Sequence, residues 1–188
     1  MSWGLIITIA VVAVIILWAI ATNNKFRRMQ IVVAEAWSGI DVQLKRKANI
    51  LPNLVDTIKM QMQFESDVLT KLTAARSGLN SSNREEAMKA NDQVNALMPS
   101  IRATAEAYPA LGTNASFLQM MNDIRDCEDK VTYARNRYNM SVSSYNQSIA
   151  VFPASLIAGM IHCTPEKMFE ISAVAREEAD NIRISKIQ

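Results

Sequence analysis

Turn-forming residues are scarce in this chain: glycine and proline occur five times each in 188 residues. That scarcity argues against an all-β protein and against a disordered one. Cysteine occurs twice, at Cys127 and Cys163, without metal-ligand spacing or a dense framework, so both read as reduced, partly buried thiols. The one histidine, His162, leaves no histidine dyad, and no Gly-rich phosphate loop or nucleophile elbow occurs. The net charge of +2 gives no global case for nucleic acid. The expectation is a chain with no catalytic, cofactor-binding or metal-ligating residues.

What the chain does have is helical periodicity. Across residues 117–152, Phe117, Met121, Ile124, Glu128, Val131, Arg135, Tyr138, Val142, Tyr145, Ile149 and Phe152 step alternately by four and three. A period of 3.5 marks a long helix packed along its length against other helices. Phe26, Gln30, Val33, Trp37, Ile40, Leu44, Lys47 and Leu51 repeat the pattern in a first soluble helix, which Pro52 is expected to end. A second helix then starts near Pro52-Asn53, with the seam Val55, Ile58, Met62, Glu65, Leu69, Leu72, Arg76 and Leu79. Residues 77–83 read as the connection, with Asn83 capping a third helix from Arg84 to about Leu111. Its stripe is Ala87, Ala90, Val94, Leu97, Ile101, Thr104 and Tyr108, kinked at Pro99. Asn114 or Ser116 caps the fourth helix. Four seams joined by short connections predict an antiparallel up-down-up-down four-helix bundle over residues 25–152.

Residues 3–21 carry no charge and are rich in Ile, Val, Ala and Leu. As a helix they span roughly 28 Å, close to the hydrocarbon thickness of a bilayer. Trp3, Leu5, Ile6, Ile9, Val12, Ile16 and Trp18 are the anchoring residues, with the two indoles near the ends of the run. A cleaved signal peptide fits poorly: no basic segment precedes the run, and the run is long for a signal core. The first basic cluster, Lys25, Arg27 and Arg28, comes after it. That charge bias predicts a single-pass anchor at residues 1–24, N-terminus outside and bundle in the cytoplasm. Membrane lipid is then one partner. After the bundle, residues 153–188 hold a short uncharged stretch, which either packs on the bundle or lies at the membrane surface, and a short C-terminal helix from Glu166 to about Asp180.

Charged and polar residues interrupt the seams. Glu65, Arg76, Glu128 and Arg135 read as a structural polar core in which acids and arginines pair, because unpaired buried charge is costly. A di-iron reading needs Glu-x-x-His on two helices, and His162 lies outside all four. Tyr138-Asn139 and Tyr145-Asn146 repeat at seven residues and share a face. They join the polar core as hydrogen-bonding matches to a neighbouring helix; a partner-binding stripe is the alternative. The Lys45-Arg46-Lys47 run reads as a solvated helix end that complements the C-terminal dipole of the first helix, with a binding patch as the alternative.

Ala36-Trp37-Ser38-Gly39-Ile40-Asp41-Val42-Gln43-Leu44-Lys45-Arg46, continued by Leu51-Pro52-Asn53-Leu54-Val55, resembles the signature segment of the LemA family. Glu106-Ala107-Tyr108-Pro109, with Leu111 and Asn114, resembles a second block of that family. Ala134-Arg135-Asn136-Arg137-Tyr138-Asn139, then Val142, Tyr145-Asn146, Ile149 and Phe152-Pro153, resembles a third. The sequence departs from the family pattern at Lys47-Ala48-Asn49 and Gly112, and the resemblance stops near residue 158, before the tail beyond Pro165. The resemblance implies a bacterial single-span membrane protein with an antiparallel four-helix bundle and no catalytic residues. The expected function is a non-enzymatic, self-associating scaffold at the cytoplasmic membrane face that organises or remodels membrane. The alternative is a tethered adaptor that binds a protein partner through the bundle surface.

Overall fold

The computed structural model describes residues 3–61 and 66–169. Among them are six helices and no strand: α1 (Trp3–Gln61), α2 (Ser66–Leu79), α3 (Arg84–Ala107), α4 (Pro109–Gly112), α5 (Ala115–Ala150) and α6 (Ala154–Met160). The chain is all-α, as its periodicity predicts. It divides into two compact units, one of Met1–Ser38 with Ala134–Phe169, the other containing Gly39–Tyr133.

In the first unit, α1 and α5 run antiparallel. Gln30 lies opposite Tyr145 and Trp37 opposite Tyr138, so α5 descends as α1 climbs. Phe26, Val33 and Ala36 of α1 are buried, as are Arg135, Tyr138, Val142, Tyr145 and Ile149 of α5. The four-three spacing keeps these residues on the facing stripes. α6 is short, buries Ala158 and leaves Leu156 and Met160 exposed. It ends in a turn where His162 has φ 54°, a left-handed conformation. There Cys163 N–H donates to Ala158 O at 2.9 Å and His162 N–H to Gly159 O at 3.2 Å. This is the Schellman closure, with histidine where glycine is usual. Residues 163–169 then return along α5 without helical structure. The helix expected from Glu166 is therefore absent at residues 166–169; side-chain amides of α5 bind the main chain of that segment instead, as described below. The rest of that predicted helix, from residue 170, lies outside the described residues.

In the second unit, α1 continues through Pro52 to Gln61, which corrects the expected end at Leu51. A proline inside a helix removes one hydrogen bond and costs about 3 kcal/mol. Here Leu51, Leu54, Val55 and Ile58 are all buried on the stripe that crosses it. A fully buried Leu or Ile gives about 2 kcal/mol, so four such residues outweigh the break. Val55 and Ile58, assigned to the seam of helix 2, thus belong to α1. α2 and α3 form a hairpin across residues 80–83, with Leu69, Leu72, Ala75 and Leu79 buried on the α2 side. Gly78, expected to stop the helix, lies inside α2 and lets it approach α3: a Cβ there would sit 2.7 Å from Ala90 Cβ. Asn83 caps α3, its Oδ1 accepting from Glu85 N–H at 2.9 Å and Glu86 N–H at 3.3 Å. α3 accommodates Pro99 but stops at Ala107, because Tyr108 before Pro109 is extended (φ −123°, ψ 91°). Asn114 Oδ1 accepts from Phe117 N–H at 3.0 Å and caps α5.

Candidate functional site

The second unit contains a buried cation. Lys47 is fully buried, and its Nζ donates to Asn91 Oδ1 at 2.8 Å, to Asn95 Oδ1 and to Glu128 Oε2 at 2.9 Å. An ammonium has three donors, and these three acceptors take them all. Asn91 Nδ2 also donates to Glu128 Oε2 at 3.1 Å, which closes the network. Burial pushes the Lys47 pKa down, against the pull of Glu128. Beside it, Cys127 is fully buried and its thiol is pushed up by burial. The neighbouring Arg46 stays on the surface, reaching Asp126 at 3.0 Å and Asp123 at 3.5 Å. Such exposed pairs contribute about 0–1 kcal/mol each.

The first unit contains a different device. Asn139 Nδ2 donates to Phe169 O at 2.7 Å, and Phe169 N–H donates back to Asn139 Oδ1 at 2.9 Å. Asn146 treats Glu166 identically, at 2.8 Å and 2.9 Å. Tyr138 Oη donates to Lys167 O at 3.1 Å. A carboxamide has a donor and an acceptor side by side, so each Asn pairs with one residue's N–H and C=O as a neighbouring strand would. The spacing makes this possible. Seven residues of helix rise roughly 10.5 Å, and three residues of extended chain cover roughly 10 Å. Each bond is worth about 1 kcal/mol net. The ring of Phe169 completes the grip, with centroids 5.5 Å from Trp37 and 5.1 Å from Tyr138; Trp37 and Tyr138 meet edge-on at 6.1 Å.

Of the residues that the sequence points to, Tyr138, Asn139, Tyr145 and Asn146 come together in this first unit. The two asparagines bind an extended segment, however, where a neighbouring helix was expected. Tyr145 reaches helix α1, its Oη accepting from Gln30 Nε2 at 3.1 Å, and burial raises its pKa. Arg135 is buried in the first unit, and Glu128 lies in the second, where Lys47 pairs with it. Arg76 is exposed, since Ala75 takes the buried place beside it. Glu65 lies outside the described residues. Sequence reasoning missed Asn91, Asn95 and Phe169 as participants. Asn91 had a signal: it stands four after Ala87 and three before Val94, both buried. The Lys45-Arg46-Lys47 run suggests a solvated helix end, but Lys47 also holds a seam position, and burial follows the seam.

The residues expected to anchor the chain, Trp3, Leu5, Ile6, Ile9, Val12, Ile16 and Trp18, are all exposed on α1. α1 contains an 18-residue window long and apolar enough to cross a membrane, and none of that window is buried. Within the described residues no three His, Cys, Asp or Glu side chains gather as a metal site.

These features define a class: an all-helical protein with one candidate N-terminal membrane span and internal polar contacts of structural character. The model of the LemA family matches residues 36–184, and the chain belongs to that family. The match runs past Pro165 into the tail, beyond residue 158, where the motif resemblance stops. A curated relative, Protein LemA of Metamycoplasma hominis, is 24% identical over 163 residues, covering 86% of this chain and 74% of its own length.

Proposed function

We propose that this protein is a membrane-anchored, non-enzymatic scaffold that self-associates at the cytoplasmic membrane face and thereby organises membrane. In this reading α1 beyond the span, α2, α3 and α5 make an up-down-up-down bundle. The observation that carries the reading is the fully exposed apolar window at the start of α1, continuous with the helix that supplies buried residues from Phe26 onward. Lys25, Arg27 and Arg28 are exposed directly after the apolar run, which favours a cytoplasmic location for the rest of the chain. A second support is the antiparallel register of α1 and α5. Carried five residues beyond the Gln30–Tyr145 pair to the end of α5, it brings Ala150 level with Lys25, next to the apolar run. Val151, Phe152, Leu156 and Met160, all exposed, then lie at the depth of the lipid headgroups. Anchored copies meet at high local concentration, so weak lateral contacts suffice for assembly.

Size-exclusion chromatography with light scattering on the detergent-solubilised full chain tests self-association. The expected result is a species larger than the monomer, growing with concentration; a monomer throughout overturns the reading. The adaptor alternative places an external protein on the Tyr–Asn face. That face already holds residues 166–169, so such a partner must displace them.

A further inference from the structure

Asn139, Asn146, Tyr138 and Trp37 together make a receptor for extended peptide, and we propose that its ligand in the assembled state is the segment 166–169 of a second copy of this chain. The proposal rests on the self-association reading above and adds the contact that carries it. Three observations lead to it.

The receptor reads main chain. Four hydrogen bonds pair an asparagine carboxamide with the N–H and C=O of Glu166 or Phe169, and another ends on the carbonyl of Lys167. This is strand-type recognition in which backbone bonds give affinity and one pocket gives selectivity. The pocket is the Trp37–Tyr138 corner, and it selects an aromatic ring three residues after the first clamped position.

The arm is gripped at its tip and bare at its base. Val151, Phe152, Leu156 and Met160 are 59–76% exposed, and the chain between Met160 and Pro165 is largely exposed as well. The turn at His162 sits in a left-handed conformation that a histidine adopts reluctantly. A different path for the arm must release or remake the contacts of the buried Ala158 and the hydrogen bond between Cys163 and Tyr145, while the exposed side chains around them do not oppose it.

Exchange conserves every bond. Each copy carries one receptor and one arm, so swapping arms leaves no donor or acceptor unpaired and creates no buried charge. Such swapping is a low-cost route to oligomers. The remaining cost is association entropy, which tethering of both copies to one membrane reduces.

The test uses full-length chains carrying two different tags, co-expressed and purified together in detergent. One variant has a disabled receptor, N139L/N146L. The other has a disabled arm, E166P/F169P, which removes the two N–H donors. Wild type is expected to co-purify with wild type. Neither variant is expected to co-purify with itself, whereas the two variants together are, because one intact receptor meets one intact arm. Self-pairing of either variant at the wild-type level overturns the inference and leaves the scaffold reading standing. Failure of the mixed pair, with wild type still pairing, overturns it equally. Absence of wild-type pairing overturns both. A measurement on nearly unaltered protein guards against misfolded variants. A photoreactive phenylalanine replaces Phe169 in full-length chains grown separately with light and heavy nitrogen, then mixed in detergent and irradiated. Crosslinks from position 169 to Trp37 or Tyr138 that join light to heavy chain are expected; crosslinks confined to chains of one isotope overturn the proposal.

Discussion

Lys47 Nζ lies 2.9 Å from Glu128 Oε2, with the lysine fully buried and the glutamate side chain about a quarter exposed (27%). The ammonium is held inside by three acceptors from two other helices, and removing it takes one donor each from Asn91 Oδ1, Asn95 Oδ1 and Glu128 Oε2. Replacing Lys47 with Met is expected to cost about 2–3 kcal/mol, toward the low end for a broken buried pair because water still reaches Glu128. Glu128→Gln is expected to cost less, since the amide oxygen still accepts from Lys47. Urea unfolding of the two variants measures the difference.

The same lysine predicts a pH dependence. Its pKa is lowered mainly by burial, so between that lowered value and the usual lysine value of about 10.4 the folded chain binds fewer protons than the unfolded one. Stability from this site is complete above about 10.4 and is lost as pH falls through the folded value. Cys127 and Tyr145, raised by burial, act in the opposite sense on the alkaline side. Lys47 acts on the Cys127 thiol directly, so the comparison is made in a Cys127→Ala background, where Tyr145 is common to both chains and the stability difference isolates Lys47. In that background the chain with Lys47 is expected to gain on K47M as pH rises toward about 10.

At Gly78, two helices meet too closely for a methyl group. Alanine would raise helix propensity by about 1 kcal/mol, yet its Cβ would stand 2.7 Å from Ala90 Cβ, which has no side chain to swing aside. The overlap wins, and Gly78→Ala is expected to destabilise by about 1 kcal/mol net. The double variant G78A/A90G exchanges the methyl groups and is expected to recover part of the loss in a double-mutant cycle read by thermal unfolding.

Asparagine to aspartate at 139 and 146 keeps shape and removes donation. Each carboxylate then faces a carbonyl oxygen of Phe169 or Glu166 instead of bonding to it. The segment 166–169 is expected to detach while helix content stays constant by circular dichroism. Hydrogen exchange at the Glu166 and Phe169 amides is expected to accelerate, and trypsin to cut after Lys167 faster; unchanged protection of both amides refutes the clamp.

The left-handed backbone at His162 favours glycine. His162→Gly is expected to stabilise by about 1 kcal/mol, because the imidazole is exposed and only the strained dihedral is relieved. A rise in melting temperature checks this.

Much of the fold was legible because packing is periodic. The four-three stripes on α1 and α5 fall on Phe26, Val33, Ile40 and Leu44, and on Ile124, Val131, Tyr138 and Tyr145, all buried. Pro52 misled because a local rule was set against a longer-range one: burial of four apolar residues around it outweighs a single lost hydrogen bond. Lys47 carried two contradictory signals, a basic run and a seam position, and only three-dimensional neighbours decide between them. The Tyr–Asn repeat was visible, but its partner was not. Glu166 and Phe169 come 20 and 30 residues after the asparagines across a turn, and periodicity does not encode where an irregular segment lands. His162 hid the turn for a related reason, since the glycine that would announce it is absent.

A clamp that grips amides and carbonyls leaves the letter at 168, an exposed methionine, almost unconstrained. Lineages can rewrite that position and keep the arm seated, whereas proline at 166 or 169 is a spelling the asparagines will not accept. Sequence drift along this arm is thus compatible with an unchanged grip.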